Sequence, residues 1–461
     1  MSEYDLAIIG IGAAAFSAAI KASELTSNQM KIAMIGYGAL GGTCVNVGCV
    51  PSKYLIEASK SFRNAKKMVY DGMESSVTID FNEFMESLNK FVETEREEKY
   101  TKVLKNFKNI DLYDGKAKFI DKNTVTVNGN KISAFNFIIA TGSKTFIPDL
   151  KGLVNYYTSD NIWTIRKIPE KLAILGSGEV ALELANAFSN FGSEVHIINR
   201  SNRLLKGFDD DITNELRNIM AKNGIKFHLG VDIKEIKNNK EKKIIFYNGT
   251  EQPIDVDEII VAMGRQPNIE ELCLEKAEVK YNHGILVDSH MKTSCENIYA
   301  AGDCVEQELK LETLAGKEGA VAAGNILGSD ESINIKEIPW AAFCEPNVAS
   351  VGYTEKELKL QNRDYIVRKI DLKNVVKANI LKSNEGIVKI ISDNEKRILG
   401  MQIIAPHAAE FIIEGVYLVK HRLTYDDIIN TSHIFPTVAE SVKIAGQSFI
   451  RDISKMSCCM E

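Results

Sequence analysis

Two cysteines five residues apart are the residues best suited to chemistry in this chain. They lie in Gly41-Gly42-Thr43-Cys44-Val45-Asn46-Val47-Gly48-Cys49-Val50-Pro51-Ser52-Lys53. Residues five apart in a regular helix rise about 7.5 Å, whereas disulfide Cα atoms rarely stand more than about 6.8 Å apart. A bridge between Cys44 and Cys49 therefore needs a distorted turn, which Gly48 permits. Strained, exposed bridges are the labile ones, so the pair reads as a redox centre. Zinc is the alternative, but its sites usually have a second Cys or His pair close by, and none lies near in sequence. A second close pair is Cys458-Cys459. The other four, Cys273, Cys295, Cys304 and Cys344, are scattered singly and are expected to be small buried hydrophobes.

A redox pair needs a source of electrons, and two glycine turns offer sites for one. The apolar run Tyr4–Ile9 leads into Gly10-Ile11-Gly12-Ala13-Ala14-Ala15 and an Ala-rich helical stretch, with a further strand expected over Lys31–Ile35. The same order recurs about 165 residues on: a strand over Leu172–Leu175, the turn Gly176-Ser177-Gly178-Glu179-Val180-Ala181, a helix over Leu182–Phe191 and a strand over Val195–Ile198. Strand, turn and helix in that order are the context a dinucleotide fingerprint requires. Glycine lets the backbone approach a pyrophosphate, and the helix N-terminus supplies amides and positive dipole. The small third residues, Ala15 and Ala181, let helix pack on strand. Two nucleotide-binding domains are the natural reading.

The second strands of the two units end differently. An acidic residue is expected at the first, to hold a ribose, yet the chain reads Ile35-Gly36-Tyr37. Glu24 and Glu57 are poorly placed, so that contact is expected from elsewhere, from backbone or from water. The second ends in Ile198-Asn199-Arg200, with Arg203 and Lys206 following. No carboxylate there repels a 2′-phosphate and several cations could pair with one. NADPH is favoured, with NADH possible; on the alternative reading Arg203 and Lys206 are merely solvated.

Further elements are expected as helices over 56–72, 82–108 and from Asp303 to about Leu327. A linker is expected over Asp330–Lys336, and alternating strands and helices from Pro339. The chain has 461 residues, enough for two to four domains, with 45% hydrophobic and 26% charged residues. A net charge of -6 argues against a broad nucleic-acid surface. No run reaches the roughly 18 apolar residues of a membrane span, and the N-terminus does not read as a signal peptide. A cytoplasmic protein is expected.

The stretch around Cys44 and Cys49 resembles the active-site helix of the flavin-dependent pyridine nucleotide-disulfide reductases, and the resemblance covers essentially the whole chain. Ala140-Thr141-Gly142 is similar to the family's crossover out of the FAD domain, Val261-Ala262-Met263-Gly264-Arg265 to the return crossover, and Tyr299-Ala300-Ala301-Gly302-Asp303 to its second FAD motif. The resemblance implies an α/β fold: two Rossmann-like dinucleotide-binding domains plus a C-terminal α+β dimerisation domain. It divides the chain into 1–145 with 266–335 for FAD, 146–265 for NAD(P)H, 336–453 for the interface and 454–461 for a mobile Cys-Cys tail. FAD would be held by Gly10, Gly12, Ala15, Gly42, Thr43, Lys53, Thr141, Gly142 and Asp303. The nicotinamide coenzyme would be held by Gly176, Gly178, Ala181, Arg200, Lys206 and Gly264. Cys49 would lie against the flavin as the charge-transfer thiolate, Cys44 would meet the substrate, and Lys53 would pair with Glu183. Hydride would pass from NADPH to flavin, and flavin would reduce the disulfide.

Disulfide-reducing members carry H-P-T-x-x-E, whose histidine shuttles a proton to and from a thiol. Here the segment reads His433-Ile434-Phe435-Pro436-Thr437-Val438-Ala439-Glu440, with phenylalanine at the base position. His433 is expected to be structural or solvated, since in an extended strand it stands about 7 Å from that position. The tail Phe449-Ile450-Arg451-Asp452-Ile453-Ser454-Lys455-Met456-Ser457-Cys458-Cys459 resembles the C-terminus of mercuric reductases. Vicinal thiols suit a soft ion. The resemblance implies a homodimer with active sites at the subunit interface, in which Cys458 and Cys459 hand Hg(II), carried in by small thiols, to Cys44 and Cys49 of the partner subunit for reduction to Hg(0). The mercuric-reductase tyrosine expected close after the Phe-Pro is absent, since Thr437 follows. The alternatives are a lipoamide-, glutathione- or thioredoxin-type disulfide reductase and, from another class, a metal-sensing flavoprotein without turnover.

Overall fold

The computed structural model describes residues 3–239, 242–249 and 252–457. The strand Tyr4–Ile9 is buried along nearly its whole length, as a parallel strand covered on both faces must be. It pairs in parallel with Ile32–Gly36 on one side and Asn130–Ile139 on the other. Ile110–Asp114 extends the first edge in parallel, and Ile298–Ala300 returns late in the chain to pair with Asn130–Ile139. Thr124–Val127 and Ala117–Asp121 continue from Asn130–Ile139 as an antiparallel meander. The helix Ala13–Leu25 lies against the helix Glu312–Ile326 so closely that a Cβ at Gly319 would stand 2.1 Å from the Ala14 carbonyl oxygen.

The second parallel sheet runs Lys226–Leu229, Glu194–Asn199, Lys171–Leu175, Glu258–Val261, Tyr157–Thr158. An antiparallel meander over Ile233–Asn238, Lys243–Tyr247 and Ile254–Val256 shares a core with its strands. The two crossover segments meet: Ser143–Thr145 pairs antiparallel with Arg265–Pro267. Arg265 fixes the junction, donating from Nε to Ser143 Oγ (2.8 Å) and from a terminal nitrogen to the Ser143 carbonyl (2.8 Å). A third sheet, antiparallel throughout, runs Trp340–Ala342, Asn347–Gly352, Ile398–Ala405, Ile387–Ser392, Ile366–Asp371. Helices Ile413–Lys420 and Glu440–Gln447 contribute to the core on that sheet. None of the described helices is long and apolar enough to cross a membrane.

Several expected boundaries move. The helix expected over 56–72 is Cys49–Lys66, so it begins at a redox cysteine. The stretch 82–108 divides into Phe81–Arg96, a π-helical turn Glu97–Thr101 and a short remnant Lys102–Leu104. Asp80 sets the start of Phe81–Arg96 by accepting from the Glu83 amide at 3.0 Å. The helix expected from Asp303 begins only at Glu312, because the intervening loop wraps the cavity described below. Cys295, Cys304 and Cys344 are buried, but Cys273 is only half-buried in a left-handed turn (φ 57°), against the expectation for it.

Candidate active site

The short helix Gly42–Asn46 stops at Val47-Gly48, and a new helix starts at Cys49. The chain doubles back so tightly that a Cβ at Gly48 would lie 3.0 Å from the Thr43 carbonyl oxygen and 3.2 Å from the Cys44 Cα. This break supplies the distortion that the five-residue spacing demands. It is pinned from three sides. Asn46 donates to the carbonyls of Leu40 (2.9 Å) and Gly42 (2.8 Å), Arg96 donates to Asn46 Oδ1 (3.0 Å), and the Trp163 indole donates to the Val47 carbonyl (3.0 Å).

Both cysteines are free thiols hydrogen-bonded to one another. That hydrogen bond, then burial, pushes the Cys44 thiol far up. The same bond, aided by the Lys53 charge and opposed by burial, holds Cys49 below the usual thiol range. Cys49 also opens an 18-residue helix, whose dipole favours a thiolate. Of the two thiols, Cys49 is the one whose surroundings favour a thiolate and Cys44 the one whose surroundings favour the proton.

Lys53 lies one turn further along that helix. Its ammonium reaches Glu183 Oε2 at 2.8 Å and Oε1 at 3.0 Å and sits 4.5 Å over the Phe343 ring. Glu183 is buried and comes from the helix Glu179–Phe191 that follows the second glycine turn. It also accepts from the Phe343 amide at 2.9 Å. Three distant segments thus meet at one ion pair. Glu179, one turn before Glu183, faces the same cavity, and burial raises its carboxyl above the usual range.

A cavity of about 1970 Å³ runs from the first glycine turn past the cysteines to the second. Its walls fit two dinucleotides. A Cβ at Gly10 would lie 2.1 Å from the Ala140 carbonyl oxygen, and one at Gly176 equally close to that of Ala262, so neither turn admits a side chain. Gly42 packs against Gly12, where a Cβ would fall 2.8 Å from its Cα, and Ala15 and Ala181 are fully buried under their helices. Thr141 Oγ1 is buried without a partner, a polar atom that needs one from a ligand. Thr43, Lys53, Gly142, Asp303 and Gly264 line the same space, and Ser143 Oγ donates to Asp303 Oδ2 at 2.6 Å.

At the end of Ile32–Gly36 the cavity wall is Tyr37, with the Lys116 ammonium 5.2 Å over its ring. Gly36 itself abuts Ile11, and a Cβ there would come within 2.7 Å of it. At the second turn Arg200 and Lys206 are exposed to the cavity and have no carboxylate partner among the described residues. Arg203 lines the same cavity half-buried, with its Nε unpartnered. It pairs with Asp210 at 2.6 Å and donates to the Phe208 carbonyl at 3.1 Å.

Sequence reasoning missed several groups in this cavity. Tyr37, Lys116, Glu179 and Glu312 all line it, and Glu312 opposes the negative charge on both thiols. Glu318 is buried beneath it, accepts from the Gly302 amide at 2.6 Å, and is pushed up to about 7 by burial. For Glu179 the spacing of four to Glu183 was the available signal. Glu318 had none, being one acid in an Ala- and Gly-rich helix.

The segment at the base position is apart from these groups. His433 Nε2 lies 3.0 Å from Glu414 Oε2 and its Nδ1 lies 3.2 Å from the Thr431 carbonyl, and the Glu414 contact raises its pKa. His433 is thus a partnered, structural histidine. Phe435 is 51% exposed and its neighbour Ile434 79%. Cys458 and Cys459, the expected delivery thiols, lie outside the described residues; the segment before them forms a single turn, Ile453–Lys455, capped by Asp452.

Comparison with known proteins agrees with this architecture. Residues 4–319 match the family model described as pyridine nucleotide-disulphide oxidoreductase, and residues 338–445 match its dimerisation domain. A mercuric reductase of Lysinibacillus sphaericus is 37% identical, the match spanning 99% of this chain and 84% of that protein. One of Staphylococcus aureus is 36% identical with the same coverage. Among solved structures, an HOCl-induced flavoprotein disulfide reductase of Escherichia coli in complex with Cu(II) superposes with a TM-score of 0.86 at 25% identity, over 98% of this chain and 100% of that one.

Proposed function

The chain belongs to the pyridine nucleotide-disulphide oxidoreductase family and is an oxidoreductase, and on that premise we propose that it reduces Hg(II) to Hg(0) with NADPH and FAD. When bound, the flavin accepts a hydride from the nicotinamide and makes two electrons available at the cysteine pair. The balanced reaction takes a bis-thiolate Hg(II) complex, NADPH and a proton to Hg(0), two thiols and NADP⁺.

Glu183 holds Lys53 in place, and Lys53 stabilises the Cys49 thiolate beside the cofactor cavity. Cys44 keeps the proton of the reduced pair until an incoming ion takes it as a ligand. The two thiols on one kinked turn then offer a pair of soft donors. The observation that carries the reading is Phe435. A dithiol substrate needs a proton shuttle because thiols are mostly protonated at neutral pH, and at that position stands a ring that moves no proton, while His433 is held by Glu414. An ion delivered by thiolate exchange needs no such base. In this reading the chain acts as a homodimer, the Cys458/Cys459 pair of one subunit passes mercury to Cys44 and Cys49 of the other, and small thiols bring the ion. Arg200 and Lys206 select NADPH by pairing with its 2′-phosphate.

The test follows NADPH oxidation with HgCl₂ in excess thiol, against oxidised lipoamide, glutathione and thioredoxin. Turnover on mercury alone is expected, with Cys458→Ala/Cys459→Ala slowing it more than it slows flavin reduction. Fast turnover on a disulfide and none on mercury overturns the reading.

A further inference from the structure

Between the second and third sheets lies an ion cluster that the redox chemistry does not use. Lys389, fully buried, reaches Asp209 Oδ2 (2.9 Å), Asp211 Oδ1 (2.9 Å) and Glu355 Oε1 (2.5 Å). The three carboxylates converge as metal ligands would, but the ammonium already stands among them. Asp209 also accepts the backbone amides of Glu355 (3.1 Å) and Lys356 (3.2 Å), and its own amide donates to Gln402 (3.2 Å). The cluster is a latch. It fastens the start of the helix Glu355–Leu360, which belongs with the third sheet, to the end of the loop that follows Asn199.

That loop carries Arg200 and Lys206. Immediately after Lys206, Gly207 presses on Trp340 so closely that a Cβ would lie 2.5 Å from the indole Cζ2, and the Phe208 ring sits 4.4 Å from that of Trp340. Latch and aromatic contact together bring Lys356 to the wall that holds Lys206. Arg200, Lys206 and Lys356 all line the cavity, all are exposed, and none has a carboxylate partner among the described residues. Glu355 pairs with Lys389, Glu357 with Lys336 and Asp210 with Arg203, while the exposed Asp232 carboxylate also lines the cavity. Three unpaired cations therefore face one space, two from the nicotinamide side and one from the third sheet's side.

We propose that Lys356 is a third ligand for the 2′-phosphate of NADPH, so that two domains close on the adenosine end of the coenzyme. The inference rests on the NADPH reading above. An ammonium is a compact point charge with three donors, suited to a phosphate oxygen left over by a guanidinium and a second ammonium.

The test is calorimetric titration of the full flavin-loaded chain with NADP⁺, NAD⁺ and 2′,5′-ADP, for wild type, Lys356→Ala and Lys356→Arg. Lys356 joins the latch only through its backbone amide, so the alanine variant leaves the Lys389 cluster whole. Lys356→Ala is expected to weaken NADP⁺ and 2′,5′-ADP about 10-fold and leave NAD⁺ unchanged, with Lys356→Arg restoring most of the loss. Equal weakening of NADP⁺ and NAD⁺, or NADP⁺ binding unchanged in Lys356→Ala, overturns the inference alone. A wild type that binds NAD⁺ as tightly as NADP⁺ overturns the NADPH reading and the inference with it.

Discussion

Gly10 and Gly176 occupy the same place in the two parallel sheets, and a Cβ on either would collide with a carbonyl oxygen at 2.1 Å. Beyond that point the two units diverge. In the first, the positions three and seven after the leading glycine are Ala13 and Ser17, and the helix is spent on close packing against Glu312–Ile326. In the second, the same positions are Glu179 and Glu183, and the helix packs against the redox helix Cys49–Lys66 and grips Lys53. One unit is a passive cradle and the other is wired to the redox pair. The same supersecondary frame can therefore hold a cofactor or couple it, depending on two side chains one turn apart on one face.

Breaking each turn in the same way gives the largest effect. Gly10→Ala is expected to yield protein without bound flavin. Gly176→Ala should keep the flavin absorbance and lose NADP⁺ binding. Both rest on the 2.1 Å clash, and spectra of the purified variants with an NADP⁺ titration check them. Loss of flavin from both would mean that the two turns are not separable.

A smaller effect separates the wired helix from the passive one. Glu183→Gln keeps an oxygen for the Phe343 amide but removes the charge that holds Lys53. Stopped-flow flavin reduction by NADPH is expected to slow about 100-fold, as for a misplaced catalytic group, while Ser17→Ala leaves it unchanged. Equal rates in the two variants would sink the distinction.

The smallest effect lies under the passive cradle. Burial raises the Glu318 carboxyl from an ordinary 4.5 to about 7. The folded state then binds more protons than the unfolded state between those values, so stability falls as pH rises through that window. Its contribution is fully present below the unfolded value and gone above the folded one. Glu318→Gln retains an acceptor for the Gly302 amide and should flatten this window. The difference in Tm between wild type and variant is expected to change by about 2 °C from pH 5 to pH 8. A constant difference would place the titration elsewhere.

Much of this organisation was legible before any coordinates. Strand, glycine turn and helix announce themselves by local pattern, because the close approach of backbone to carbonyl excludes every side chain at Gly10 and Gly176. The tight spacing of Cys44, Gly48 and Cys49 implied a kinked turn for the same local reason, and the break at Val47-Gly48 is there. The start of the redox helix was read too late, since its N-terminus is set by the kink rather than by apolar periodicity. Arg203 was read as a cation for a 2′-phosphate, with solvation as the alternative; its pairing with Asp210, seven residues on, depends on how the loop between them folds.

What the chain determined by itself were the features that depend on neighbours a few residues away: the two turns, the redox spacing, the cations after Asn199 and the phenylalanine at the base position. The pairing of Lys53 with Glu183, 130 residues away, came only from the family resemblance; only the tertiary structure decided that Glu183 also takes the Phe343 amide, that Thr141 presents an unpartnered hydroxyl to the cavity, and that Lys389 and Asp209 bring Lys356 to the cavity wall. Those contacts join groups whose charges or hydroxyls carry no periodic signal. Their partners are chosen by how three sheets stack, and a buried charge or polar atom shows its meaning only once the group that must satisfy it is in place.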